Sequence, residues 1–282
     1  MKFDLWRILG NDLPPRHSES QTEDNIDFIL ERESAFENCR KLFLLNRIID
    51  PEKEKRLHIK LSSAGHRVIA MKFEREKFMA LDSMQARAHY LTNVNYARNY
   101  CVELSLSEGA DVVCPMDGGM YFTCAGWDGF SQIAKENSSD GYFAFVTWRL
   151  FSYADVLDPT ILPQFKSEYY FGDQASCGLT ELQLALTRHA DQRFDESLMY
   201  GCADKVEFLY RLGMRGLWDH WEPQLRIAAM SKKSKFYDLV RMSLPGFVCR
   251  LPSGNCEADH NNEVRGTQRF KGVNNLLAQA GS

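Results

Sequence analysis

The chain has 282 residues, 44% hydrophobic, 26% charged and 12% aromatic, with a net charge of −4. This composition suits a globular fold and excludes a disordered or collagen-like chain. The acidic balance argues against nonspecific nucleic-acid binding. No run of about 18 apolar residues offers a membrane span.

The apolar opening is broken by Asp4 and is too short for a signal peptide, so the expected compartment is the cytoplasm. The eight cysteines form no Cys-x-x-Cys pair, so zinc-ribbon spacing is absent. They read as free thiols, with Cys101 and Cys114 in apolar contexts where cysteine behaves as a small buried hydrophobe.

Residues 3–9, FDLWRIL, predict a first strand ending at Gly10-Asn11-Asp12. Pro14 and Pro15 then force an extended loop. Apolar residues recur at helical spacing over 22–38. A second strand is predicted at 42–45, closed by Asn46-Arg47. Pro51 suits the first turn of a helix that Ala64-Gly65 stops, and 66–73 reads as a third strand. Strand–helix alternation predicts a mostly parallel sheet flanked by helices. The first strand is not followed by Gly-x-Gly-x-x-Gly, and a Walker Gly-Lys-Ser/Thr is missing, so dinucleotide and P-loop sites lose their support.

Residues 74–90 read as irregular. A helix is predicted over 95–106 and an apolar strand over 112–116, ending in Asp117-Gly118-Gly119. Tyr121, Phe122, Trp127 and Trp148 suggest an aromatic shelf that could stack on sugar faces, although such residues are more often core. Helix is predicted at 130–136, strand at 141–148, a loop-rich insertion at 150–175 and helix at 182–188. Further helices are predicted at 205–216, 233–242 and 273–280, with a polar loop over 252–262. No linker separates independent domains.

Residues three and four apart share a helix face, so Asn95, Arg98 and Asn99 point one way. An Arg fork suits phosphate; the bland alternative is a surface salt bridge. Asp117 ends a buried strand, and the two glycines after it let ligand or backbone approach closely. Hard cations such as Mg²⁺ and Mn²⁺ want carboxylate oxygen, while an ordinary Asp-Gly turn has the same spacing. Asp204, with Glu207 three residues on, matches a capping box, or it is a general base at a helix start. Lys232, Lys233, Lys235, Arg241 and Arg250 outnumber Asp238 over 232–250 and suffice for a diphosphate or an anionic acceptor, or for a solvated face.

The run Ala97-Arg98-Asn99, its amphipathic helix, Glu108-Gly109-Ala110, an apolar strand and then Asp117 resembles the core of family 2 glycosyltransferases with the GT-A fold. Ala203-Asp204 before the helix Phe208-Leu209-Tyr210-Arg211-Leu212-Gly213 resembles the motif that carries that family's catalytic base. The resemblance spans about residues 1–220. It implies one Rossmann-like α/β domain over 1–282. Residues 1–119 would form a nucleotide-binding half, 120–225 an acceptor half and 226–282 a C-terminal helical elaboration. It implies a nucleotide sugar such as a UDP-sugar, bound by Arg7, Gly10, Asn11, Asn46, Arg47, Asn95, Arg98, Asn99, Asp117 and Gly118. The acceptor would be a hydroxyl, with Asp204 the base of an inverting transfer. The implied metal, Mn²⁺ or Mg²⁺, would sit on Asp117. Gly119 stands where the family places a second Asp, and His220 is the ligand the resemblance offers instead. Arg250, Glu263, Arg265 and Arg269 are further contributors to acceptor or diphosphate binding, or else surface salt bridges. Nucleotidyl transfer, sugar-nucleotide hydrolysis, and a degenerate domain that binds without catalysis are the alternatives.

Overall fold

A computed structural model of the chain describes residues 1–150, 152–157, 182–202, 204–212 and 248–282. Its first half is built on four strands, β1 (Phe3–Leu9), β2 (Cys39–Asn46), β3 (Arg67–Met71) and β4 (Val112–Asp117). They run parallel in the spatial order β3-β2-β1-β4, as the alternation predicts. β1 is buried at every position, which is why it reads as a near-continuous apolar run rather than an alternating one. Its two charges need partners in that setting. Asp4 accepts from Nε and Nη2 of Arg40 at 2.7 and 2.6 Å, and Arg7 pairs with Glu33 at 2.5 Å.

The crossovers are helical. α1 (Gln21–Arg32) buries Asn25, Ile26 and Ile29. α2 (Pro51–Ser63) starts on Asp50, whose side chain accepts from the Glu52 N–H at 2.9 Å, and Pro51 stands in the first turn. The irregular reading of 74–90 is corrected: α3 (Arg75–Met79) and α4 (Met84–Thr92) lie there. Both are short and each buries a single residue, Phe78 or Leu91, so they carry little apolar periodicity. α4 is capped by Ser83, which accepts from the Ala86 N–H at 3.1 Å. α5 (Val94–Ser107) then packs on the sheet, capped by Asn93.

The second half departs from parallel order. β5 (Met120–Phe122), α6 (Cys124–Glu136), β6 (Tyr142–Arg149) and β7 (Leu182–Thr187) follow. β7 runs antiparallel to both β4 and β6. The helix predicted at 182–188 is thus a strand. Leu182, Leu184 and Leu186 alternate with Gln183, Ala185 and Thr187, which is strand spacing, and 183–187 are all buried. β8 (Val248–Arg250) runs parallel to β6 and antiparallel to β5, completing the described order β3-β2-β1-β4-β7-β6-β8-β5. α7 (Asp204–Arg211) precedes β8. α8 (Cys256–His260) and α9 (Asn262–Gly281) form the C-terminal helices, where a polar loop and a short helix were expected. The result is a mixed α/β, Rossmann-like architecture. No described helix is long and apolar enough to cross a membrane.

The core lies beside β1. The Phe36 and Trp127 rings stack at 4.6 Å, and Phe3, Phe122 and Phe130 meet Trp127 edge-on. Tyr121, Phe122 and Trp127 are all buried. They are core rather than a sugar-facing shelf. The Trp148 side chain, the helix at 233–242 and most of the 150–175 insertion fall outside the described residues.

Candidate functional site

Asp117 is the last residue of β4, opposite Ile8 of β1. The chain then turns tightly against β1. A Cβ on Gly118 would stand 2.7 Å from Leu9 Cδ2 and 3.0 Å from the Ile8 carbonyl oxygen. Gly118 is therefore demanded by backbone approach. The turn releases the chain into β5, whose pairing with β8 sets Arg250 opposite Met120 and brings it towards Asp117.

α5 supplies the second part. Asn95, Arg98 and Asn99 share a face, and all three are buried. The two asparagines pin the segment that follows β7. Asn95 Nδ2 donates to the Asp195 carbonyl at 2.8 Å. Asn99 exchanges a pair of hydrogen bonds with the Phe194 backbone at 2.9 and 3.0 Å. Arg98, only 2% exposed, is the hub. Its Nη2 donates to Asp117 Oδ1 at 2.6 Å and its Nη1 to Asn95 Oδ1 at 2.6 Å. Nη1 also donates to Asp204 Oδ2, and the guanidinium lies 5.2 Å from the Phe194 ring centre. One side chain thus joins the end of β4 to the start of α7, and Arg98 itself stands 106 residues before Asp204.

Asp117 Oδ2 faces further cations. Lys205 Nζ donates to it at 2.7 Å, Gln183 Nε2 at 3.3 Å, and Arg250 Nη1 lies 3.8 Å away. Burial alone would raise the Asp117 pKa, but Lys205, Arg98 and Arg250 hold it well below the usual carboxylate range. Burial works against the charge on Arg98, yet Asp204 and Asp117 raise its pKa above the ordinary value. For Lys205 burial wins, and its pKa is lowered despite Asp117. Asp204 Oδ1 accepts from the Lys205 backbone N–H at 2.9 Å, so both of its oxygens are held.

These groups open on a cleft of about 280 Å³ at the carboxyl ends of the parallel strands, where open α/β sheets bind ligands. Gly10, Asn11, Asn46, Asn95, Arg98, Asp117, Gly118 and Asp204 line it. Asn11 also ties the loop after β2, donating to the Arg47 carbonyl at 2.8 Å and accepting from the Ile49 N–H at 2.9 Å. Arg7, Arg47 and Asn99 do not line it. Arg7 is occupied by Glu33 and the Met120 carbonyl, the latter at 2.9 Å. Arg47 stacks over Tyr90 and Tyr96 at 4.7 and 5.1 Å. His220 is outside the described residues.

The cleft also contains residues the sequence reading did not single out: Lys205, His17 and Asp12. Lys205 directly follows Asp204, but a Lys in a first helical turn carries no signal by spacing. Asp12 pairs with Lys53 at 2.5 Å. His17 Nδ1 accepts from the Leu13 N–H at 3.3 Å. Burial first, then Arg16 and Arg250, push the His17 pKa down to about 3. Its imidazole is therefore neutral at pH 7.

The described residues neither bear out nor exclude the implied Mn²⁺ or Mg²⁺. Among the described residues no three His, Cys, Asp or Glu side chains cluster as ligands. Gly119 takes the second carboxylate's place, and a Cβ there would already stand 3.0 Å from Asn25 Nδ2. Both Asp117 oxygens accept from cationic donors. A hard cation needs open carboxylate oxygens, so it would have to displace these donors.

Comparison with known proteins adds little to this geometry. No family model and no curated protein matches the sequence. Among solved structures, TarS of S. aureus is 10% identical with a TM-score of 0.31, the match covering 54% of this chain and 22% of TarS. A mycobacterial protein is 12% identical with a TM-score of 0.35, over 99% of this chain and 75% of that one. At these values neither likeness bears on what the chain does.

Proposed function

We propose that the chain is a glycosyltransferase of the GT-A kind, moving a sugar from a nucleotide-sugar donor to a hydroxyl acceptor. The observation that carries this reading is Arg98, which holds Asp117 and Asp204 on one guanidinium at the rim of the cleft. The motif residues that resemble family 2 glycosyltransferases thereby meet in space. In this reading the nucleotide lies along Gly10, Asn11 and Asn46, and the diphosphate lies near Asp117 and Gly118. Asp204 accepts the acceptor's hydroxyl proton while that oxygen bonds to the anomeric carbon. The bond from that carbon to the diphosphate oxygen breaks, and the diphosphate leaves with the electron pair. A single displacement of this kind inverts the anomeric centre. Arg98 is a positioning residue that fixes the carboxylate of the base.

One observation favours a second reading, nucleotide-sugar binding without transfer: both oxygens of Asp204 are engaged, by Arg98 and by the Lys205 N–H. A panel of nucleotide sugars tested by thermal shift on the whole chain, followed by product analysis with the donor that binds, separates the two. A ligand at about a hundred times its Kd stabilises by about 2.7 kcal/mol, enough to raise Tm by several degrees. Asp204→Asn should keep that shift and lose about 10²–10⁴ in turnover. Near-normal turnover in Asp204→Asn removes the base. A donor that binds but is never turned over leaves the second reading. No shift with any nucleotide sugar refutes both.

A further inference from the structure

We infer that His17 and Asn25 hold the ligand of the cleft as uncharged hydrogen-bond donors, His17 through its Nε2–H and Asn25 through its Nδ2–H. The inference rests on the proposed nucleotide-sugar site and names two contacts by which that site takes the oxygens of its ligand. Both side chains line the cleft, and both come from the crossover that follows β1.

Asn25 stands on the buried face of α1 beside Ile26 and Ile29. Asparagine is a poor helix former, and a buried amide needs partners for both its oxygen and its nitrogen. The residue is 2% exposed. Its Oδ1 accepts from the Tyr153 hydroxyl at 2.8 Å, which fixes the orientation of the amide. Its Nδ2 has no protein partner among the described residues. That nitrogen borders the turn after Asp117, because a Cβ on Gly119 would stand 3.0 Å from it. Gly119 also lines the cleft, and its missing side chain leaves the amide uncovered. A packing role at this position is met by an apolar side chain such as those of Ile26 and Ile29. A fixed amide whose donor end finds no acceptor in the protein is instead suited to an oxygen of the ligand.

His17 presents the same chemistry by a different route. Its Nδ1 accepts from the Leu13 N–H at 3.3 Å. A backbone N–H only donates, so Nδ1 carries the lone pair and the proton of the neutral ring sits on Nε2. Nε2–H has no protein partner among the described residues. Burial, then Arg16 and Arg250, push the pKa down to about 3, so the ring keeps this neutral form at pH 7. The loop after β1 thereby fixes a donor, and not an acceptor, on the free side of the imidazole. Two fixed donors select ligand atoms that accept, which a diphosphate and the hydroxyls of a sugar both offer. A site built to donate to such oxygens discriminates strongly against ligands that lack them.

The test is isothermal titration of the whole chain with UDP-glucose, GDP-mannose, UDP and GDP, run with Mn²⁺ and again with EDTA. His17→Asn keeps an acceptor for the Leu13 N–H and removes the Nε2 donor. Asn25→Asp keeps the shape of the side chain and the acceptor for Tyr153, and puts an oxygen where the donor was. Thermal unfolding of the unliganded variants separates loss of a donor from loss of the fold. Each folded variant should weaken binding of the nucleotide that wild type binds by about tenfold or more in Kd. The two changes are independent, so the inference stays testable if one variant does not fold. A folded variant that binds within about twofold of wild type overturns the inference for that residue and leaves the nucleotide-sugar reading standing. Wild type that binds none of the four nucleotides in either buffer overturns that reading and the inference with it.

Discussion

Replacing Arg98 by Met keeps the side chain's stem and removes its fork. Breaking a buried ion pair by removing one partner usually costs about 3–5 kcal/mol. Here the loss is smaller for two reasons. Asp117 keeps Lys205 at 2.7 Å, and the carboxylates of Asp117 and Asp204 are 23% and 19% exposed, so water reaches them. Asn95 Oδ1 loses its Arg98 donor as well, worth about 1 kcal/mol. The expected destabilisation is about 3 kcal/mol. Urea unfolding at pH 7 measures it, with an unchanged m-value showing that stability alone has moved. A double-mutant cycle with Asp204→Asn should give a coupling energy of about 1 kcal/mol or more. If Arg98→Met lies within about 0.5 kcal/mol of wild type, or the cycle shows no coupling, Arg98 is not the joint between β4 and α7.

Two further predictions concern the elements around the cleft. His17 has its pKa lowered from 6.5 to about 3. The unfolded chain takes up this proton near pH 6.5 and the folded chain only near 3, so His17 makes stability fall as pH drops through that window. His17→Asn, whose Oδ1 can accept the Leu13 N–H, should flatten that part of the pH–stability profile, and an unchanged slope refutes it. The depressed pKa of Asp117 acts at lower pH, because its contribution is present above the unfolded carboxylate pKa and lost below it. In α9, Gly272→Ala gains up to about 1 kcal/mol in helix propensity. Its Cβ, however, would stand 2.5 Å from the Leu13 carbonyl oxygen and 2.8 Å from Leu13 Cβ. Overpacking costs about 1–3 kcal/mol, so Tm should fall; a rise would show that α9 is not packed this closely on Leu13.

The first half of the fold was legible because its signals are local. Apolar runs bounded by Gly, Pro and Asn mark β1, β2 and β4, and Asp50-Pro51 opens α2. β7 was misread although Leu182, Leu184 and Leu186 alternate with Gln183, Ala185 and Thr187, because six residues are too few to separate strand from helix by spacing alone. Its pairing with β4 and β6, not its own propensity, makes it a strand. α3 and α4 were missed because each is short and buries only one residue, Phe78 or Leu91, which leaves little periodicity to read. The site was legible in its carboxylates and in Arg98, whose motif spacing is local on α5 and β4. It was not legible in Lys205 and His17, which carry no pattern, nor in the tasks of Asn95 and Asn99. Their shared face was read as ligand-facing; Asn95 does line the cleft, and both asparagines also pin the backbone of 194–195.

The sequence by itself determined that a buried strand delivers Asp117 into a glycine turn, and that one face of α5 carries an arginine between two asparagines. Strand and helix periodicity fix such facts within a few residues. Only the tertiary structure decided what surrounds that carboxylate. Lys205 arrives from α7 and Arg250 from a strand that pairs with the chain just beyond the turn. Charge acts through space and not along the chain. The sequence therefore could show a carboxylate suited to a metal, and only the assembled cleft shows that protein cations already occupy it.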